Sequence, residues 1–334
     1  SFPQFLLSLF IHTIVSSIFI IFNIIGFLYS EILKFLNYKV TLDNTKHVVV
    51  ITGCDTGFGE LTSRRLSSLG FQVVSGCITQ DGVDRLKGVV ALSLICDVTK
   101  EGDITNLANQ TKELLEKNNF KLWGIVNNAG IGDGGGIDWI STSTLRKVME
   151  VNFFGVVMVT RALLPMLKKT KDSRIINLSS IAGFLSAPTM GFYDAAKHAV
   201  EGYGKALRAE MKLWNIHVSN INPGFMRTPI VTGGKQRSKI EFNASLLRDE
   251  YIEKVDDIAD PLEKILEDPQ LVVDGIVAAL TDKYPAMWYF PGNQANYVFR
   301  HMTNLSSGFL DLLCYLTKSI GPSPKPEVIN QYQQ

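Results

Sequence analysis

The sequence predicts an α/β fold: a doubly wound sheet of seven parallel strands with helices on both faces, preceded by an apolar segment. Three observations carry this reading. A β-branched run, His47-Val48-Val49-Val50-Ile51, leads into a glycine-rich turn and then into a stretch with helical apolar spacing, Glu60 to Leu69, closed by Gly70. Short apolar runs then alternate with helical ones as far as Phe290. Residues 1 to 30 contain no Asp, Glu, Lys or Arg.

The charge-free N-terminus is read first. Phe5 to Leu28 is dominated by Ile, Leu, Phe and Val, interrupted only by Ser8, His12, Thr13, Ser16, Ser17, Asn23 and Gly26. About 20 apolar residues cross a bilayer as a helix. A cleaved signal peptide would show a charged start, a shorter apolar core and an Ala-x-Ala site; none is present. The expected organisation is a transmembrane anchor over residues 1–30, a linker over 31–45, a dinucleotide-binding catalytic domain over 46–295, and an apolar segment with a tail over 296–334. Lys34, Lys39 and Lys46 follow the anchor, which favours a cytosolic domain.

Within the domain the first strand is buried on both faces, as β-branched runs in parallel sheets are. Further strands are expected at Gln72 to Ser75, Val90 to Ile95, Leu122 to Val126, Arg174 to Leu178, Ile216 to Asn220 and Met287 to Phe290. Helical spacing covers Ile104 to Leu115, Leu145 to Leu167, Tyr193 to Leu213 and Leu271 to Leu280. Such alternation builds a parallel sheet between helical layers. Two regions break the rhythm. Residues 227–265 are polar and irregular, with helical fragments such as Ala244 to Val255, and a connection of that length reads as a substrate lid. Phe309 to Leu316 is apolar but too short to span a bilayer; it lies in the membrane interface or packs on the domain.

Composition narrows the chemistry. A chain of 334 residues holds one α/β domain with appendages. The net charge of +1, without a basic block, argues against a nucleic-acid partner. Cys54, Cys77, Cys96 and Cys314 show no paired spacing and read as core or loop residues. The five histidines are scattered, so no metal site is expected.

The turn after the first strand is Thr52-Gly53-Cys54-Asp55-Thr56-Gly57-Phe58-Gly59. Its glycines let backbone approach a pyrophosphate, and the helix that follows offers free N–H groups at its positive end. The spacing is G-x-x-x-G-x-G rather than the G-x-G-x-x-G of the general dinucleotide fingerprint, but the strand-turn-helix setting is that of a Rossmann-like fold. Far downstream, Tyr193 and Lys197 stand four residues apart, on one face of a helix. Tyrosine ionises near pH ~10; a neighbouring ammonium favours the phenolate, so the pair could move a proton to or from an alcohol. Ser180 lies thirteen residues upstream of Tyr193.

Five motifs occur in order: the glycine turn, Asn127-Asn128-Ala129-Gly130, Ser180 with its spacing to Tyr193, Tyr193-x-x-x-Lys197, and Asn222-Pro223-Gly224. Together they resemble the short-chain dehydrogenase/reductase family over roughly residues 46 to 292. The turn from Ile51 to Gly59 and the Pro322-Ser323-Pro324-Lys325-Pro326 end resemble its retinol dehydrogenase and hydroxysteroid dehydrogenase branch. The resemblance implies that Tyr193 is the base, that Lys197 depresses its pKa and binds the nicotinamide ribose, and that Ser180, rather than Ser179, fixes the substrate oxygen. It implies that Asn152 holds a water joined to the lysine. The implied cofactor contacts are Gly53, Cys54, Asp55, Thr56, Gly57, Phe58, Gly59, Asp97, Val98, Asn127, Ala129, Gly130, Tyr193, Lys197, Pro223, Gly224 and Thr228.

NAD is the expected cofactor, with NADP as the alternative. The strand end where NAD enzymes place an acid is Cys77, followed by Ile78. No Lys or Arg among Cys54, Asp55, Thr56, Cys77 and Ile78 awaits a 2′-phosphate, although Arg64, Arg65 or Arg85 could be brought near by the fold. Phe184, Leu185, Met190, Phe192, Phe225 and Met226 flank the catalytic segments and suit an apolar alcohol or ketone. The expected protein is a membrane-bound oxidoreductase of retinol or a hydroxysteroid, in the endoplasmic reticulum by resemblance, with a homo-oligomer left open. The alternatives are a 3-hydroxybutyrate dehydrogenase-like enzyme, with Arg227 nearest to a substrate carboxylate, or a non-catalytic lipid- or nucleotide-binding protein.

Overall fold

The computed structural model describes residues 21, 25, 28, 32, 39–40, 42–245, 249, 251–252, 265–302 and 323–332. The chain divides into two compact units, residues 1–41 with 281–284, and residues 42–280 with 285–334. In the first unit the Lys39 ammonium pairs with Asp282 at 2.5 Å, and the Val40 N–H donates to the Thr281 carbonyl at 2.7 Å. Ile21, Ile25, Leu28 and Ile32 are helical and exposed. The rest of the expected anchor lies outside the described residues, as does Phe309 to Leu316.

The second unit is built on seven parallel strands in the order β3-β2-β1-β4-β5-β6-β8. These are β1 His47–Thr52, β2 Gln72–Cys77, β3 Leu92–Ile95, β4 Lys121–Asn127, β5 Arg174–Leu178, β6 His217–Ile221 and β8 Trp288–Tyr289. Helices α1 Gly57–Ser68, α2 Gln80–Leu86, α3 Glu101–Asn118, α4 Thr142–Met149, α5 Gly155–Leu167, α6 Gly191–Met211, α7 Pro229–Ala244 and α8 Gln270–Thr281 connect them. Covered on both faces, β1 buries Val48 to Thr52 and β5 all five of its residues. The strand order reverses between β1 and β4, and ligands of open α/β sheets bind at the carboxyl ends beside such a switch point. Just inside that edge, in-register Asn127, Asn177 and Asn220 form an amide chain across three strands, with links of 2.9 and 3.0 Å. Gly204 of α6 lets the helix sit on this chain, because a Cβ there would lie 2.5 Å from Asn220 Oδ1.

Three local expectations are corrected. The run from Leu145 to Leu167 is not one regular helix; a π turn, Glu150–Phe154, joins α4 to α5. Asn152 turns its amide out of the helix onto the Ile131 backbone, and a one-turn π bulge is the usual form of such a departure. Helix α2 was not foreseen, because its sequence QDGVDRL lacks an apolar stripe; the Thr79 hydroxyl caps it by accepting from Gly82 N at 3.0 Å. Within the helical fragment expected over Ala244 to Val255, Tyr251–Ile252 instead form β7, which pairs antiparallel with β9 Ser323–Pro324, ahead of α9 Pro326–Tyr332, while residues 246–248, 250 and 253–255 lie outside the described residues. Among the described residues one helical run, Thr142–Leu167, is long and apolar enough to cross a membrane. Its α5 part buries Val159, Leu163 and Leu167 with Val48, Ile125 and Ile175, so it belongs to the core.

Candidate active site

The glycine turn closes the carboxyl end of β1. Gly53 and Gly57 hold φ values of +69° and +61°, conformations that L side chains rarely adopt. A Cβ at Gly59 would lie 2.2 Å from the Gly53 carbonyl, so the turn and α1 meet backbone to backbone. Thr56, the residue before α1, makes no side-chain cap; the first N–H groups of the helix keep their capacity for an anion. Asn128 braces the turn from the β4 side, donating to Thr52 O at 2.8 Å and Gly53 O at 2.9 Å. Ala129 N donates to Thr52 Oγ1 at 3.1 Å.

The remaining implied cofactor positions divide by where their side chains point. Cys54 is fully buried and donates to Ile51 O, Val98 packs against Gly155, and Asn127 is committed to Thr160 and Asn177. Asp97 accepts from Thr99 N at 3.0 Å and Thr99 Oγ1 at 2.7 Å. Burial pushes its carboxyl up, but the Thr99 bonds and Lys100 outweigh it and hold the group below the usual carboxylate range. Phe58 is half-buried and Thr56 exposed beside the glycines. Pro223 O accepts from Ile181 N at 3.1 Å, tying the Pro223-Gly224 loop to the segment after Ser180. Thr228 is 8 % exposed, yet its hydroxyl oxygen has no hydrogen-bond partner.

Asp55 is placed unlike a strand-end acid but reaches the same spot. Its carboxylate accepts from Ile78 N at 2.7 Å and Thr79 N at 2.9 Å, just beyond Cys77. Arg85 donates to the Asp55 carbonyl and pairs with Asp81, while Arg64 pairs with Glu60 at 2.9 Å. Both guanidinium groups at this end are therefore engaged by acids.

Asn152, Ser180, Tyr193 and Lys197 gather at the carboxyl ends of β4 and β5. Asn152 is fully buried; its Oδ1 accepts from Ile131 N at 2.8 Å and its Nδ2 donates to Ile131 O at 2.9 Å. Gly130 lies between it and the lysine: a Cβ there would sit 3.1 Å from Asn152 Oδ1 and 3.8 Å from Lys197 Nζ. Ser180 caps a short turn over Ile181–Gly183, and its hydroxyl acts on that of Tyr193 in the direction that favours the phenolate. The hydroxyl of Ser179 points away, against Gly183. Helix α6 directs Lys197, Val200, Glu201, Gly204, Leu207 and Met211 into the protein along one stripe. The Lys197 ammonium is thereby buried, donating to Leu178 O at 2.8 Å and lying 5.7 Å from the centre of the Tyr193 ring.

The electrostatics correct one expectation. Burial pushes Tyr193 up to about 12, against the lowering effect of the Ser180 hydroxyl, and Asp194 adds to the rise. Desolvation outweighs whatever the ammonium contributes to the phenolate, and it lowers Lys197 itself to about 8, partly offset by Glu201. Asp194 is 3 % exposed and accepts from Ala187 N at 2.8 Å. Burial pushes it up to about 6.

Helix α7 is fastened over the loop that follows β4. Gly234 makes this possible, since a Cβ there would lie 2.2 Å from the Gly132 carbonyl. The Arg237 guanidinium pairs with Asp133, itself 4 % exposed, at 2.5 Å. Around the site, Phe184 meets Phe290 and Trp288, with ring centres 5.8 and 6.1 Å apart, and Phe225 meets Phe299 at 5.8 Å. Met226 is 2 % exposed and packs under Gly292, which removes it from the expected pocket wall.

The fold, with hydroxyl and ammonium groups gathered at its switch-point end, is that of a nicotinamide-dependent oxidoreductase. The chain belongs to the short-chain dehydrogenase family, whose sequence pattern matches residues 47–239. It is 33 % identical over 308 residues to retinol dehydrogenase 16 of Rattus norvegicus, covering 88 % of this chain and 94 % of that protein. It is also 33 % identical to 17-beta-hydroxysteroid dehydrogenase type 6 of Bos taurus, over 83 % of this chain and 89 % of that one. These relatives place it in the retinol and hydroxysteroid dehydrogenase branch. A short chain dehydrogenase/reductase from Burkholderia phymatum, solved in complex with NAD, shares the fold with a TM-score of 0.66, 24 % identity and coverage of 82 % of this chain and 97 % of that chain.

Proposed function

We propose that this protein transfers hydride between a nicotinamide cofactor and a lipophilic alcohol or its carbonyl, with Tyr193 moving the proton. The observation that carries this reading is the buried Lys197 ammonium, 5.7 Å from the centre of the Tyr193 ring, with the Ser180 hydroxyl acting on the phenol in the direction that favours its ionisation. The residues present fit a dinucleotide. Gly53, Gly57 and Gly59 form a side-chain-free cradle at an uncapped helix start, and Thr228 offers a buried hydroxyl that no protein group satisfies. The glycine turn, Asp55, Asp97, Ala129, Gly130, Lys197, Pro223, Gly224 and Thr228 would hold it. When bound, the nicotinamide supplies the hydride acceptor or donor.

The chain's own groups do the rest. Ser180 holds the substrate oxygen beside Tyr193. Tyr193 takes the alcohol proton during oxidation and returns it during reduction. Lys197 presents its positive charge to the site, which favours the phenolate as the proton leaves the alcohol. Asn152 holds the Ile131 backbone so that Gly130 stays against Lys197.

NAD is preferred over NADP in this reading. Asp55 places a carboxylate beyond Cys77, and Arg64 and Arg85 are paired with Glu60 and Asp81 rather than left for a phosphate. The named activities of the relatives, on retinol and on hydroxysteroids, together with Phe184, Phe225 and Met190, support an apolar substrate. A hydroxy acid is disfavoured: Arg227 donates to the Leu266 carbonyl and Arg237 pairs with Asp133. The charge-free stretch from Phe5 to Leu28 supports attachment to a membrane, assigned to the endoplasmic reticulum.

A panel of retinol, 3- and 17-hydroxysteroids and 3-hydroxybutyrate, each run with NAD and NADP, tests this function. Turnover of an apolar alcohol with NAD is expected; turnover of 3-hydroxybutyrate alone, or preference for NADP, would overturn the substrate or cofactor assignment. Alkaline carbonate should leave the chain in the membrane pellet, and its release would refute the anchor.

A further inference from the structure

Glu201 lies one helical turn beyond Lys197 on the inward stripe of α6, where residues four apart are neighbours. It is 3 % exposed, an unusual place for an acid. One carboxylate oxygen, Oε2, accepts from the Trp288 indole N–H at 2.7 Å; the other, Oε1, is buried without a hydrogen-bond partner. Gly183 gives the side chain room, because a Cβ there would sit 2.8 Å from Glu201 Cγ and 3.0 Å from Lys197 O. A buried acid with half of its hydrogen-bonding capacity unmet is costly, and one indole bond does not account for it.

We propose that Glu201 is the counter-charge of Lys197, a positioning residue whose negative charge, rather than its bond to Trp288, keeps the ammonium protonated at the reacting centre. The inference rests on the reading of Tyr193 and Lys197 given above. The surroundings leave Glu201 this role. Lys197 faces Tyr193 on its own helix, the Leu178 carbonyl from β5, and Asn152 across Gly130. These three are neutral while the phenol is protonated; Asp194, three residues before Lys197 on α6, turns its carboxyl to the Ala187 N–H. Glu201 faces the Trp288 indole of β8 and, near Gly183, the Ser179 hydroxyl. The next cation along α6, Lys205, stacks over the Trp288 ring at 5.6 Å. Among the described residues Glu201 is the acid whose charge acts on Lys197, and it acts in the direction that opposes desolvation.

The test uses the full chain in detergent, labelled with 13Cε-lysine, with the Lys197 resonance identified by its loss in Lys197→Met. Glu201→Gln removes the charge and keeps an acceptor for Trp288. The Lys197 midpoint should fall by about one pH unit or more, and the alkaline limb of kcat/KM for alcohol oxidation should move with it. Glu201→Asp should restore most of the shift, and Trp288→Phe should leave the midpoint unmoved. An unchanged Lys197 midpoint in folded Glu201→Gln overturns the proposal. An equal shift in Trp288→Phe also overturns it, since the effect would then belong to the hydrogen bond. The titration needs no turnover, so it judges Glu201 even if Tyr193→Phe stays active and the reading of the site fails.

Discussion

Asn152 offers the most quantitative perturbation of the site. Its side chain is fully buried in the π turn and makes two bonds of 2.8 and 2.9 Å to the Ile131 backbone. Asn152→Ala deletes both partners at once and leaves an N–H and a C=O unmet. Each orphaned group costs about 1–3 kcal/mol when buried; Ile131 is only half-buried, so water reaches part of it and about 2 kcal/mol in total is expected. For a domain of this size that lowers Tm by about 4–8 °C. With its anchor gone, the Ile131 segment no longer holds Gly130 against Lys197, so activity should fall further than stability does, by about tenfold or more. Asn152→Asp keeps the acceptor for Ile131 N but turns an oxygen onto Ile131 O, and should resemble the alanine variant. Calorimetry and steady-state kinetics on the same preparations provide the measurement. A Tm and kcat in Asn152→Ala both within error of the parent would refute the claim that this amide fixes the loop.

Other outcomes follow from the same contacts. Asp194 is pushed up to about 6 by burial, above its unfolded value, so the folded chain holds that proton more tightly. Its contribution to stability is fully present below about pH 4 and is lost as pH rises through about 6, a change on the order of 2–3 kcal/mol. Asp194→Asn should therefore raise Tm at pH 7 but not at pH 4, and an equal gain at both would contradict this. Thr228→Val removes a hydroxyl that no protein group satisfies; Tm should hold while the cofactor Kd rises severalfold, as isothermal titration would show. Arg237→Ala releases α7 from Asp133, and KM for the alcohol should rise more than kcat falls; unchanged kinetics would remove the lid role from that ion pair.

What was legible in the sequence was whatever repeats locally. Val48 to Ile51 and Arg174 to Leu178 read as strands because both faces of each are buried, and the glycine turn read correctly because positive φ and backbone contact demand Gly53, Gly57 and Gly59. The π turn at Asn152 was not legible, since its cause is a bond to Ile131, distant in sequence. Helix α7 hid behind polarity and a Gly233-Gly234 pair; only the contact with Gly132 explains Gly234. Helix acids are usually solvated, and nothing in the sequence around Asp194 or Glu201 marks either as buried. Their burial follows from the Ala187 N–H and the Trp288 indole, which the fold brings from elsewhere. The direction of the Tyr193 shift was misjudged for a related reason: the lysine spacing is visible in sequence, and the desolvation that outweighs it is not.

The most direct test of the assignment is Tyr193→Phe, assayed by nicotinamide absorbance with the best alcohol from the panel. The substitution removes one hydroxyl and leaves the ring in place. Alcohol oxidation should fall by about 10²–10⁴-fold with Tm and cofactor binding nearly unchanged. Activity within a few-fold of the parent in the folded variant would show that the proton travels through another group.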